Sequence, residues 1–379
     1  RNARETSVQA EEVLASDLDQ SAVFTVSRAW AQGEQPFDVQ AVVGGKWTVT
    51  GSSLRLAGEV RDFPAQRPIL VKEYRGGVRD WRSLAHQFAD DIVLQFTGEA
   101  GVAQTQIAYV TRSGRDKEMW VMDQDGAAPL QLTRDRSIAM SPSWSPDAAL
   151  LLFTSYRGGT GPQVYVNAAA GGKAHLISGR PGNNTSATYS PDGREIACTL
   201  SLDGNAEIYV LDNRGGSPRR LTNNRAIDTS PVWAPTGREI AFTSDRGGSP
   251  QVYVMDRDGG NLRRLTFEVN YTDSPAWSPK GDRIAFVSRN GSGFDVYVCK
   301  SDGSEVRLVA TGGSNENPHW APDGRHIVFA SNRGGAFALY VSDLDDRPAR
   351  KLETGGHEAM SPAWSPRPLG TRSAVNVGP

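Results

Sequence analysis

Six short stretches hold the side chains best able to recognise another molecule: Ile138-Ala139-Met140, Asn183-Asn184-Thr185, Ile227-Asp228-Thr229, Tyr271-Thr272-Asp273, Asn315-Glu316-Asn317 and His357-Glu358-Ala359-Met360. Carboxylates, amides and hydroxyls supply charge and hydrogen bonds, and thioethers beside an aromatic ring supply an adaptable apolar contact. Met140, Asn184, Thr185, Asp228, Thr229, Tyr271, Asp273, Glu316, His357 and Met360 are therefore expected to form a partner-binding surface. Asp228, Asp273, Glu316 and Glu358 would make it acidic, and a basic or hydrogen-bond-donating partner would complement it. The same groups also satisfy turn backbones and cap strand ends, so a structural role stands as the alternative for each.

Covalent or metal chemistry finds less support. The five histidines, His86, His175, His319, His326 and His357, are scattered, and no pair has metal-ligand spacing. Asp123-Gln124-Asp125-Gly126 is too short for a calcium loop and reads as a hairpin turn. Arg157-Gly158-Gly159, Arg246-Gly247-Gly248 and Arg333-Gly334-Gly335 open no helix, so they fit no phosphate-binding pattern. The chain has no Gly-x-Ser-x-Gly elbow with an accompanying hydrolase domain. No enzyme, cofactor or metal site is expected.

The elements that must position these stretches repeat. Trp144, Tyr189, Trp233, Trp277, Trp320 and Trp364 each precede a small residue and proline, at spacings of 45, 44, 44, 43 and 44 residues. Within each unit the order is an apolar triplet such as Ile240-Ala241-Phe242, an aromatic-Val pair such as Tyr253-Val254, a Leu-Thr type ending such as Leu265-Thr266, and a segment of the Ser-Pro-x-Trp type such as Ser361-Pro362-Ala363-Trp364. Each reads as one short strand, with Arg-Gly-Gly and Asp-Gly turns between. A repeat of this length built from four strands makes a blade, and six blades close into a ring that protects its edges. The first unit opens at its triplet and the last stops at Trp364, so the C-terminal strand is expected to complete the blade begun by residues 105 to 133.

In the turns after the aromatics, Ser190-Pro191-Asp192-Gly193 and Ala321-Pro322-Asp323-Gly324 set proline where φ is fixed and glycine where it is positive. Pro146-Asp147-Ala148 lacks the glycine, and its turn is expected to differ slightly. The aromatics themselves are expected to pack between blades. In this frame the recognition stretches surround one mouth of the central channel.

Residues 1 to about 100 do not repeat. Ala10, Leu14 and Leu18 predict a helix between Ser7 and Gln20. Val23 to Val26, Trp47 to Thr50, Leu54 to Val60 and Ile69 to Tyr74 read as strands. Trp81, Leu84, Ala85, Phe88, Ile92, Val93 and Phe96 mark one face of a helix ended by Gly98. The fold class is therefore multidomain, α/β plus all-β: a small α/β domain with a mixed sheet over 1–104, a six-bladed β-propeller of four-stranded antiparallel blades over 105–366, and a tail over 367–379.

Composition agrees. The apolar fraction of 38% supplies a core, no stretch approaches the ~20 apolar residues that span a bilayer, and the net charge of −2 gives no nucleic-acid footprint. Cys198 and Cys299 fall on strands of different blades, so no disulfide is expected. The chain opens at Arg1 with a helix already under way, so a processed N-terminus is expected.

The stretch Asp80-Trp81-Arg82-Ser83-Leu84-Ala85-His86-Gln87-Phe88-Ala89-Asp90-Asp91-Ile92, the junction Phe96-Thr97-Gly98-Glu99, Ile107-Ala108-Tyr109-Val110 and Met140-Ser141-Pro142-Ser143-Trp144-Ser145-Pro146-Asp147 together resemble the TolB family. These are periplasmic propeller proteins of the Tol-Pal system of Gram-negative envelopes, and the resemblance covers nearly the whole chain in the same domain order. It implies a periplasmic adaptor, contributing to outer-membrane integrity and cell division. The channel mouth would receive the peptidoglycan-binding domain of Pal, an OmpA-type lipoprotein. The family's N-terminal segment that engages TolA, the inner-membrane partner, has no counterpart before Arg1. The other reading is a stand-alone propeller holding a glycan or peptide in its channel.

Overall fold

Leu84, Phe88 and Ile92 recur four residues apart, so one side of helix α2 (Trp81–Thr97) is apolar and buried. The helix stops at Gly98, whose φ of 75° turns its N–H back to the Leu94 carbonyl at 2.9 Å. Helix α1 (Ala3–Gln20) precedes three long strands, β1 (Ala41–Thr50), β2 (Ser53–Asp62) and β3 (Pro68–Gly77). Leu54, Leu56 and Val60 alternate inward along β2 and meet Leu70, Tyr74 and Phe88 in one core. Phe88 lies so close to Gly58 that a Cβ there would stand 2.7 Å from its ring. No helix is long and apolar enough to cross a membrane among the described residues.

This computed structural model describes residues 3–27, 39–345, 347–367 and 375–376. The elements above belong to one compact unit, Arg1–Gln104 with Gly370–Pro379, and the rest to a second, Thr105–Leu369. Three features of the first unit differ from the sequence reading. Val23 to Val26 form no strand; Val23, Phe24 and Val26 pack on the core from an irregular segment. The sheet is antiparallel throughout rather than mixed, because two short hairpin connections join β1, β2 and β3. A short strand in the expected tail, Val375–Asn376, pairs antiparallel with β3; most of that tail lies outside the described residues.

The second unit holds six four-stranded antiparallel sheets among the described residues, here S1 to S6. The first strands are Glu358–Trp364 in S1, Ala139–Trp144 in S2, Asn184–Tyr189 in S3, Asp228–Trp233 in S4, Thr272–Trp277 in S5 and Asn315–Trp320 in S6. Those of neighbouring sheets touch in a closed cycle, S6 returning to S1. S1 joins its first strand to Gln106–Ser113, Asp116–Asp123 and Leu130–Gln131, so the two ends of this unit share one sheet.

Apolar cores form between neighbouring sheets. Val110 and Ala363 of S1 meet Trp144 and Phe153 of S2, and Ala197 and Ile208 of S3 meet Trp233 and Phe242 of S4. Two of the repeated tryptophans also bind across these seams: Trp144 Nε1 donates to the Ala363 carbonyl at 2.9 Å and Trp320 Nε1 to that of Ala276 at 3.0 Å. The turn lacking glycine does not differ from its siblings. Ala148 takes φ 58° and its N–H reaches the Ser145 carbonyl at 2.9 Å, as Gly193 reaches Ser190 at 2.8 Å. Alanine here accepts the left-handed conformation at a steric cost of roughly 1 kcal/mol.

Candidate interaction surface

Every first strand is built to one plan. Counted from Ala359 in S1, whose strand has one extra residue at its start, its register shifts after the second residue, and proline, which has no N–H to donate, stands fourth except in S3, where Ala187 does. The third residue is left-handed without being glycine: φ is 53° at Ser141, 50° at Ser186, 54° at Ser230, 52° at Ser274 and Asn317, and 48° at Ser361. Each strand begins at the face that also carries the hairpins between second and third strands, which we call the loop face; the Ser-Pro turns lie at the opposite turn face.

At the start of four first strands a buried polar residue anchors the loop face. Asn184 is held by Ser178 Oγ at 2.6 Å and donates to the Arg180 carbonyl at 2.8 Å. Asp228 accepts from Arg246 Nη2 and from Asn224 Nδ2, each at 2.8 Å. Thr272 bonds to the Val252 N–H at 2.9 Å, and Asn315 accepts from Arg333 Nη2 at 2.7 Å. Asn184 and Asp228, expected in the partner surface, are thus fully buried and engaged. They shape the surface from beneath and cannot touch a partner.

Two supports were not identified from sequence. Glu118, Glu207 and Gln251 reach under the loops to the hydroxyls of Thr133, Thr222 and Thr266, fifteen residues on. Glu118 and Glu207 also take the N–H groups of Arg136 and Asn224, both at 2.8 Å, fixing the approach to the next first strand. The constant distance to each Leu-Thr type ending was the available signal. The Arg-Gly-Gly arginines do more than lead a turn: Arg157, Arg246 and Arg333 lie 4.7, 5.0 and 4.8 Å over the rings of Tyr165, Tyr253 and Tyr340.

The residues that remain available are the second residues of the strands: Met140, Thr185, Thr229, Asp273, Glu316 and Met360, all half-buried. Because the first strands touch in a cycle, these six form a ring, and Met140 and Met360 belong to adjacent strands of it. Asp273 accepts from Thr243 Oγ1 at 2.8 Å, and Glu316 from Ser314 Oγ at 2.9 Å. Tyr271 packs on Phe294 with ring centroids 5.7 Å apart, and Arg289 lies 4.6 Å over it. Burial, then the Asp273 charge, raises the Tyr271 phenol. His357 is exposed and stacks on Trp120 with centroids 6.5 Å apart.

The expected acidity is reduced by arginines. Arg246 takes the Asp228 charge, Arg112 lies 3.7 Å from Glu358, and Arg289 stands beside Tyr271, leaving Asp273 and Glu316 as the carboxylates of the ring. The groups with reactive potential are turned to structure. Burial pushes the thiols of Cys198 and Cys299 up to about 12, too high for a thiolate at neutral pH. His319 accepts the Trp364 N–H at 3.2 Å, joining S6 to S1, and burial lowers its pKa.

Against known proteins, the model of the TolB beta propeller domain family matches residues 93–368. Over 213 residues the chain is 38% identical to the Tol-Pal system protein TolB of Anaeromyxobacter sp. (strain K), covering 52% of this chain and 48% of that protein. Over 167 residues it is 37% identical to the protein of the same name from Desulfosudis oleivorans, covering 44% of this chain and 38% of that one. The chain thus spans about half, or less, of the length of the curated relatives it matches. The crystal structure of TolB from Acinetobacter baumannii superposes on 94% of each chain with a TM-score of 0.85 at 28% identity. With the family match running through nearly three-quarters of its length, the chain belongs to the TolB β-propeller family.

Proposed function

We propose that this chain is a non-enzymatic adaptor of a Tol-Pal-like envelope complex, working in the periplasm of a Gram-negative bacterium. Its six sheets act as the blades of a six-bladed propeller whose loop face binds the peptidoglycan-binding domain of a Pal-like, OmpA-type lipoprotein. A TolA-like inner-membrane protein is the second partner, engaged through a segment preceding Arg1 in family members. By linking the two, the chain contributes to outer-membrane integrity and cell division. The observation that carries this reading is the ring of second residues, in which Met, Thr, Asp and Glu stand on identical backbone positions. A frame kept constant beneath varied side chains suits recognition of one asymmetric protein surface.

Calorimetry of the full chain against the cognate Pal periplasmic domain tests it. Saturable one-to-one binding is expected, weakened about tenfold or more by Asp273→Lys with Glu316→Lys; a folded chain that does not bind removes the adaptor reading. The reading of a glycan or peptide ligand draws on a polar cleft of about 330 Å³ between S5 and S6, lined by Asn290, Ser292, Thr311, Ser314, Asn332 and three glycines. Titration with peptidoglycan fragments that heats to saturation without Pal would favour it.

A further inference from the structure

The hairpin of S1 carries a like-charge pair that folding alone does not call for. The second and third strands of S2, S3, S4 and S6 form ladders of six residue pairs, Leu150↔Ala168 to Ser155↔Gln163 in S2, whereas those of S1 and S5 form eight, and only in S1 do the added pairs set two cations opposite each other. The two added pairs, Arg112↔Lys117 and Ser113↔Asp116, carry the ladder about 7 Å farther out at the loop face. Gly114 and Arg115 close it in a two-residue turn. Arg112 and Lys117 therefore stand directly opposite each other, an arrangement that destabilises a sheet.

A second set of cations is fixed against this hairpin. The Lys117 N–H donates to the Ser137 carbonyl at 2.9 Å, and Lys117 bridges to Ile138 in parallel register. That bond sets the loop carrying the exposed Arg134 and Arg136 against Lys117 of the hairpin, whose other cations are Arg112 and Arg115. Nearby carboxylates are mostly committed: Asp135 to Arg157 at 2.5 Å, Glu118 to the Arg136 N–H and Thr133, and Glu358 to Arg112 at 3.7 Å. Asp116 sits at the tip between Arg115 and Lys117. The patch adjoins the part of the ring held by Met140 and Met360, next to Ile138.

We propose that this hairpin and the loop 134–137 are a basic docking tip that receives an acidic element of the protein partner bound at the loop face. The inference rests on the adaptor reading and adds the partner's charge and orientation. In S5 and S6 the carboxylates of Asp273 and Glu316 share the loop face with the exposed cations Arg289 and Arg333, whereas the tip in S1 is basic, so the tip stands out as a sector of one sign. A partner whose acidic element meets this tip docks in one rotational setting. A flat anionic membrane is disfavoured, because it would also meet the carboxylates of Asp245, Asp273 and Glu316 around the rest of the face.

The test is calorimetry of the full chain against the Pal periplasmic domain, at low salt and at about 150 mM, where the Debye length is about 8 Å. The variant Arg115→Glu, Lys117→Glu, Arg136→Glu should bind about tenfold more weakly at low salt and lose most of the salt dependence. Wild-type affinity and salt dependence in that variant would overturn the tip while leaving the adaptor reading intact; no binding by the wild-type chain would overturn both. Lys117→Glu alone separates binding from folding: it should weaken binding while raising Tm by about 1 °C, because it replaces a repelling cross-strand pair by an attracting one. A lower Tm accompanying the lost affinity would mark the patch as structural. Sedimentation of the wild-type chain, but not the triple variant, with vesicles containing anionic lipid would reassign the patch to a membrane and overturn the proposal.

Discussion

At the turn face the sheets are near copies of one another, and at the loop face they are not. Ala148, Gly193, Gly237, Gly281 and Gly324 each return an N–H to the residue three before, at 2.8 to 3.0 Å. At the other end of the same strands the second residues run Met140, Thr185, Thr229, Asp273, Glu316 and Met360, above anchors that are Asn, Asp or Thr in S3 to S6 and alanine in S1 and S2. One end has a single packing solution, a tight turn between two strands. The other must only be held in place, which several buried polar arrangements achieve equally well, and its outward residues are free to differ.

Breaking the uniform part should cost most. Trp320→Ala removes a buried ring and its bond to Ala276, so a loss of about 3–5 kcal/mol in urea unfolding is expected; a loss below about 1 kcal/mol would deny the tryptophans their part in holding sheets together. On the loop side, Asp228→Ala leaves Arg246 without its carboxylate, and we expect a loss of about 2–4 kcal/mol. The same change at the half-buried second residue, Thr229→Ala, should stay within about 0.5 kcal/mol. Equal costs at these two neighbours would erase the distinction between anchor and available surface.

The S6–S1 seam gives a pH test. The His319 pKa is lowered in the folded chain, so its contribution is complete above the unfolded value of 6.5 and is lost as pH falls below it. Asp90 in the first unit works in the opposite sense. Burial, against hydrogen bonds from Ala103 and Gln104, pushes it up to about 6, so its contribution is lost as pH rises through that value. His319→Gln compared with its parent at about pH 7.5 and about pH 5.5 isolates the seam: the parent should lose more stability on acidification than the variant. The smallest effect sharpens the turn face. Ala148→Gly should stabilise by about 0.5–1 kcal/mol and Gly193→Ala, at φ 68°, should destabilise by about as much.

The strand frame was legible because Trp-Ser-Pro fixes three things at once: a buried ring, a residue that cannot donate, and a turn. The sharing of S1 by residues 107 and 364 followed from the same frame. Val23 to Val26 misled because apolar side chains packed from an irregular segment look like a short strand; Phe24 meets Phe96 edge-on at 5.4 Å. Asn184 and Asp228 misled because the sequence does not show which of two adjacent polar residues faces inward. That depended on the anchors Ser178 and Arg246, six and eighteen residues away. The left-handed third residues were hidden too, since serine and asparagine rather than glycine occupy them.

The sheet shared by both ends has a consequence for how the chain is made. During synthesis, S2 to S6 can assemble in order behind the ribosome, but Gln106–Ser113 must wait for Glu358–Trp364, its partner from the far end. Through that interval it presents an unpaired apolar edge, Ile107-Ala108-Tyr109-Val110, open to pairing with other nascent chains. Final closure spans almost the whole second unit, a non-local contact of the kind that makes folding slow. A second unit released short of Trp364 would retain five finished sheets and an adhesive sixth, so quality control falls on the last-made strand of this unit.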